Sequence, residues 1–264
     1  MVALPAFLTQ APVVAVIRLS GMIAAGARGL NDAGTAPVIE RAFSRGKPKA
    51  VALAINSPGG SPTQSSLIAA RIRRLADEKK VPVTAFVEDV AASGGYWLAC
   101  AADDIVVDRN SILGSIGVIS ASFGLHEAIG RIGVERRVYT AGNSKSFLDP
   151  FQPEKPEDVA RLRSLQDRIH GNFIAHVRER RGTKLDPETD YFNGDIWVGE
   201  DAVQVGLADG VGHLADEMKR RFGKSTRFAA YGPRRSFLRR LGMDAAGAAL
   251  GSVEERALWA RYGL

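Results

Sequence analysis

The sequence predicts an α/β fold, a mostly parallel sheet with crossover helices, from three observations. Short β-branched apolar runs recur along the chain, each is bounded by turn residues, and helical stretches fall between them. Strand, helix, strand in repeated order argues for crossover βαβ units, with reactive groups at the turns that leave the strands.

In chain order, Val13 to Leu19 and Ala50 to Ile55 read as buried strands, with a helical segment near Thr35 to Ser44 between them. Asn56-Ser-Pro-Gly-Gly60 is a turn. Ser61-Pro-Thr-Gln64 follows as a capping box, with Ser at the N-cap and Pro at the first helical position. That helix carries Leu67, Ile68, Ile72 and Leu75 at apolar spacing and Arg71, Arg73, Arg74, Asp77 and Lys80 on its wet face. Pro82 to Val87 is a third strand, Ser93 to Ala102 a short helix and Asp104 to Asp108 a fourth strand. Short strands are expected over residues 117–120 and 134–140. A long helix from about Pro156 to Arg181 places Leu162, Leu165, Ile169, Phe173 and Val177 on one face. Helices near Glu200 to Val205 and Leu214 to Phe222 close a domain spanning residues 1–224. Residues 225–264 read as a basic and apolar C-terminal extension that includes Arg234, Arg235, Phe237, Leu238, Arg239, Arg240 and Leu241.

The 264 residues carry a net charge of +6, which suits an anionic surface such as lipid headgroups; a nucleic-acid partner is not expected. A lone Cys100 excludes an internal disulfide and a multi-cysteine zinc site. Arg18 interrupts the only early apolar run, so no stretch reaches the ~20 apolar residues of a membrane span. Residues 1–10 lack the pattern of a secretory signal. The expected location is therefore cytoplasmic, with peripheral contact at the inner membrane through the basic extension.

Four elements carry chemistry. Ala91-Ala-Ser-Gly-Gly-Tyr-Trp97 sets Ser93 in a tight turn between strand and helix, where a nucleophile is exposed and helix N–H groups face developing negative charge; a helix-capping serine fits the same residues. In Ser57-Pro-Gly-Gly60, the N–H of Gly59 or Gly60 can join that of Gly94 as an oxyanion hole, each donor worth ~3 kcal/mol, or the glycines can simply make a turn. Lys145, in Ala141-Gly-Asn-Ser-Lys145, is a candidate base or a solvated loop lysine. A lysine serves as base only when neutral, which requires burial or a cationic neighbour. Ser115, in Gly114-Ser-Ile-Gly117, is placed to orient that lysine or to sit in a turn. Of the four histidines only His126 is near enough in order to imitate a Ser-His-Asp triad.

Taken in order, these motifs, together with Asp149-Pro150-Phe151, resemble the signal peptide peptidase A family of serine peptidases over roughly residues 13–215. The resemblance implies a Clp/crotonase-like fold, Ser93 as nucleophile, Lys145 as base, Ser115 as the hydroxyl that positions it, and Gly59 and Gly94 as oxyanion donors. It implies no metal or organic cofactor, a peptide substrate such as a signal peptide or another unfolded apolar peptide, and a homo-oligomeric ring in which neighbouring subunits can share an active site. Two other readings stand beside it. One is a crotonase-type acyl-CoA enzyme, with Glu88 and Asp89 as its only nearby acids; the other is a non-catalytic membrane-associated scaffold. A further expectation is that the segment Ala257 to Leu264, peptide-like and partly apolar, covers or enters an active site.

Overall fold

The computed structural model describes residues 11–26, 29–142, 144–232 and 256–264. The apolar runs form β1 (Val13–Ser20), β2 (Ala50–Ser57) and β3 (Val83–Ala92), which pair in parallel at the centre of the sheet. β2 is buried along almost its whole length, and β1 from Val14 to Ile17 and at Leu19, the pattern of parallel strands covered on both faces. Helices α1 (Asp32–Ser44) and α2 (Pro62–Lys79) make the crossovers. Asn31 caps α1 by accepting the Gly34 N–H at 2.8 Å. Ser61 caps α2 with a long 3.4 Å contact from the Gln64 N–H. The predicted capping box is only half formed, because Gln64 accepts from the Asp32 N–H at 2.9 Å and so ties the two helices together. Ile68, Ile72 and Leu75 are buried, whereas Leu67 is exposed.

β3 is longer than predicted and serves two partners. Its first half pairs with β4 (Asp104–Val107) and its second half with β5 (Ile112–Gly114). Between them the β2–β3 register slips, from Ile55 opposite Val87 to Ser57 opposite Ala91. Asn56 fills the gap: its Oδ1 accepts the Val90 N–H at 3.2 Å and its Nδ2 donates to Asp89. A side chain thus replaces a missing ladder bond. The slip carries β3 into α3 (Gly94–Ala99) beside the Pro58-Gly59-Gly60 turn.

Beyond β5 the chain leaves the body as an arm that includes α4 (His126–Arg131), and returns along α5 (Pro156–Arg181) and a 3₁₀ turn, Gly182–Lys184. β6 (Ile196–Val198) pairs antiparallel with β5, α6 (Gly199–Gln204) follows, and β7 (Gly210–Val211) pairs with β4. α7 (Leu214–Phe222) seals the second face through Met218, packed with Val14, Val16, Phe86 and Val106.

Three expectations are corrected. Residues 117–120 and 134–140 form no strand, and no strand among the described residues lies beside them to pair with. The apolar face of α5 is covered only near its C-terminal end, where Phe173 and Val177 are buried, while Leu165 is exposed because that end of the helix projects past the sheet. The sheet also runs past residue 224, since β8 (Arg227–Tyr231) adds in parallel to the free edge of β1. The basic cluster from Arg234 to Leu241 lies outside the described residues.

Candidate active site

Ser93 is the single residue between β3 and α3. It holds φ 52° and ψ −120°, a conformation an L-residue keeps only when its surroundings impose it. Its N–H donates to the Gly114 carbonyl at 2.8 Å, and its carbonyl accepts the Trp97 N–H at 3.1 Å. Its side chain makes no capping hydrogen bond, so the hydroxyl is not engaged at the helix end.

Two glycine turns interlock around it. A Cβ on Gly59, which has φ +98°, would stand 2.8 Å from the Ser93 Cβ and from the Gly94 nitrogen. A Cβ on Gly94 would collide with the Ser65 hydroxyl, and one on Gly95 with the Ser57 carbonyl. These glycines are therefore required by close approach of one backbone to another. The Ser57 hydroxyl donates to the Gly21 carbonyl at 2.7 Å, and the Gly59 N–H leans on the same hydroxyl at 3.3 Å. Ile23 holds the turn from the other side: its N–H donates to the Gly59 carbonyl and its carbonyl accepts the Ser61 N–H, both at 2.8 Å.

Ser93 opens into a cleft of about 740 Å³ that Ser115, Pro58 and Gly60 also line. Ser115, at φ 50°, donates its N–H to the Asp195 carbonyl at 2.6 Å. Gly59 and Gly94 back directly onto Ser93, but the glycine of that turn that faces the cleft is Gly60. Other walls had been given no site role from the sequence: residues 22–25 after β1, residues 118–119 beyond the Gly114-Ser-Ile-Gly117 motif, and Asn193 with Gly194 before β6. The Asn193-Gly194 dipeptide was a legible turn signal, and its Asn193 Oδ1 accepts the Asp195 N–H at 2.9 Å. Residues 22–25 carry only small or apolar side chains and gave no signal. Leu258, Arg261 and Tyr262 complete the lining.

Lys145 is not among these residues. It is exposed on the arm, in a turn closed by its N–H to the Gly142 carbonyl at 3.1 Å. The arm is folded on itself: Arg136 pairs with Asp149 at 2.9 Å and stacks over Phe151 at 4.9 Å. It also holds large apolar side chains in water, with Phe123 84%, Ile132 75% and Tyr139 91% exposed.

No histidine lines the cleft among the described residues. His126 borders a separate cavity on the arm. The rings of His170 and His176 donate to the Ile116 and Trp97 carbonyls at 3.1 and 3.2 Å, and His213 stands 3.7 Å from Asp108. Glu88 pairs with Arg18, and Asp89 accepts from Asn56, both away from Ser93. That leaves the acyl-CoA reading without an acid at the cleft among the described residues. Burial pushes the Cys100 thiol up to about 12, which removes it as a nucleophile.

The family model for Peptidase family S49 matches residues 75–223, which include Ser93 and everything from α3 to α7. The chain belongs to peptidase family S49. Its relatives include a putative protease of Methanocaldococcus jannaschii, 35% identical over 65% of this chain and 55% of that one. The chloroplastic serine protease SPPA of Arabidopsis thaliana is 33% identical over 76% of this chain and 31% of its own length. A Brucella melitensis protein named Na(+)/H(+) antiporter NhaA is 48% identical over 95% of this chain, which spans only 37% of that protein's length. Among the described residues no helix is long and apolar enough to cross a membrane. Two solved structures of the 1510-N membrane-bound stomatin-specific protease, a serine-to-alanine variant and a lysine-to-alanine variant with a substrate peptide, share the Clp/crotonase-like α/β fold. They match at TM-scores of 0.52 and 0.51 and 16% and 15% identity, over 86% and 88% of this chain and 100% and 97% of theirs.

Proposed function

We propose that this S49 chain hydrolyses peptide bonds with Ser93 as nucleophile and Lys145 as base, the lysine arriving from a neighbouring copy in a homo-oligomeric ring. The observation that carries the proposal is the Ser93 turn: a strained serine, free of any capping bond, beside Ser115 in a cleft of about 740 Å³. The exposed apolar side chains of the arm favour delivery from a neighbour, because docking them on a second copy would bury Lys145 with them. Loss of water is what makes an ammonium give up its proton.

In this mechanism the Lys145 amine takes the Ser93 Oγ proton as Oγ bonds to the substrate carbonyl carbon. The N–H groups of Gly60 and Gly94 receive the oxyanion, each worth ~3 kcal/mol in the transition state, while the Gly59 N–H stays on the Ser57 hydroxyl. The C–N bond breaks, the lysine returns the proton to the leaving amine, and water then releases the acyl group. Ser115 orients the lysine. Unfolded apolar peptides, signal peptides among them, are the proposed substrates; peripheral membrane contact would come from the basic extension in a cytoplasmic setting.

A fluorophosphonate probe followed by mapping of the labelled residue tests the nucleophile. Mixing separately inactive Ser93→Ala and Lys145→Ala chains tests the shared site. Activity regained on mixing supports a dyad built from two copies, and labelling at a residue other than Ser93 would falsify the assignment.

A further inference from the structure

We propose that Ile23 is a positioning residue for peptide hydrolysis, its backbone fixing the Gly59–Gly60 peptide so that the Gly60 N–H faces the substrate; the inference rests on the serine-peptidase reading of the Ser93 cleft. A trans peptide is planar and carries its carbonyl and its N–H on opposite sides. Glycines flank this one, at φ +98° and +137°, so the turn itself does little to stop the plane from rotating. Ile23 stops it. The Gly59 carbonyl accepts the Ile23 N–H at 2.8 Å, and the Ile23 carbonyl accepts the Ser61 N–H at the same distance. Ile23 thus brackets Gly60 in a parallel bridge, which turns the Gly60 N–H away from it. Gly60 lines the cleft, and among the described residues no acceptor takes its N–H. Rotated by half a turn, the plane would present the Gly59 carbonyl instead, whose partial negative charge repels an oxyanion.

The clamp is held from behind. Ile23 is the middle of a ladder one rung long, because the Leu30 N–H donates to the Met22 carbonyl at 2.9 Å and the Ala24 N–H to the Leu30 carbonyl at 3.0 Å. Gly29 lets the two segments come this close, since a Cβ there would stand 2.7 Å from the Ala24 Cβ. Leu30 adjoins Asn31, the cap of α1, and Arg71 on α2 donates twice to Asp32, at 2.7 and 2.8 Å. The Ile23 side chain also reaches the other donor: a Cβ on Gly94 would stand 3.2 Å from the Ile23 Cδ1. One residue therefore meets both halves of the proposed oxyanion hole. It is 1% exposed, too buried for water to replace a hydrogen bond that it gives up.

The test replaces the Ile23 amide by an ester in the full chain, which deletes the N–H and keeps the isoleucine side chain. The same replacement at Lys49, whose N–H donates to the Val13 carbonyl at 2.8 Å at the opposite end of the sheet, controls for the loss of one backbone bond. Turnover of an unstructured fluorogenic peptide and inhibition by a peptide aldehyde, whose serine adduct carries the oxyanion, are measured for both and for the unaltered chain. The expected result at Ile23 is a kcat lower by about tenfold to a hundredfold at unchanged KM, with aldehyde affinity weakened by the same factor. The Lys49 ester should keep the kcat of the unaltered chain. Gly29→Ala, which loosens the ladder behind Ile23, should also lower kcat at unchanged KM, and it decides the matter should the Ile23 ester fail to fold. Equal kcat and aldehyde affinity in the variant and the Lys49 control, or a raised KM at unchanged kcat, overturn the clamp while leaving the peptidase reading intact. If the unaltered chain itself neither cleaves nor binds the aldehyde, the peptidase reading fails and the clamp's catalytic role fails with it.

Discussion

The Ser93 N–H donates to the Gly114 carbonyl at 2.8 Å, so the proposed nucleophile is fastened to the residue immediately before Ser115. Gly114 has φ +104°, and a Cβ there would stand 2.7 Å from the Trp197 ring and 2.8 Å from the Asp195 carbonyl. Gly114→Ala should cost about 2 kcal/mol of stability and lower kcat together. Ser115→Ala should lower kcat by about tenfold to a hundredfold with an unchanged melting temperature. Thermal melts beside kinetics on one peptide separate the two effects.

Asn56 supplies by side chain the bond that the slipped β2–β3 ladder lacks. Asn56→Leu leaves the Val90 N–H without its acceptor and should cost about 1 to 3 kcal/mol. Because the slip also aims the Ser93 turn, fluorophosphonate labelling should slow even at temperatures where the variant is fully folded. Unchanged labelling would show that the slip does not position the serine.

Cys100 is fully buried and its thiol is held as the neutral form. Iodoacetamide applied to the native chain should leave peptidase activity intact and modify Cys100 only after denaturation, as mass spectrometry of the two samples would reveal.

His176 is stacked on Trp97 at 4.8 Å, and burial draws its pKa below the ordinary 6.5. The unfolded chain therefore binds a proton at a higher pH than the folded one. Its neutral ring supports the fold fully above about pH 6.5, and that support declines as pH falls below it. Urea denaturation between pH 7.5 and pH 5.5 should show this decline, and His176→Gln should flatten it.

Arg181, 3% exposed, donates to Asp209 at 2.6 Å and twice to the Gly206 carbonyl. Burial works against ionisation of Asp209. Hydrogen bonds from Arg181, from Lys184 and from the Ile105 N–H outweigh it and hold the carboxyl below its ordinary value. Arg181→Ala strands that charge and should cost about 3 to 5 kcal/mol in chemical denaturation. Loss of less than about 1 kcal/mol would mean that water or Lys184 replaces the guanidinium.

What the sequence made legible follows its local physics. β1, β2, α2 and α7 could be read because apolar runs, a proline at a helix start and glycine turns act over a few residues. The Ser93 turn and Ser115 were legible for the same reason. β8 was not, because Arg227-Phe-Ala-Ala-Tyr231 is half-exposed and becomes a strand only through the free edge of β1, far away in the chain. Residues 134–140 show the reverse, β-favouring residues that pair with no strand among the described residues. The cleft walls at residues 22–25 depend on where β1 stops relative to Gly60, which only the assembled sheet decides.

The arm keeps its lysine outside the cleft in which the serine lies. In the proposed dyad, a newly made chain is thus chemically silent, because it carries both members of the reactive pair but holds them apart. Proteolysis would switch on steeply with local abundance, which spares surrounding proteins while the chain is scarce and confines cutting to places where several copies gather.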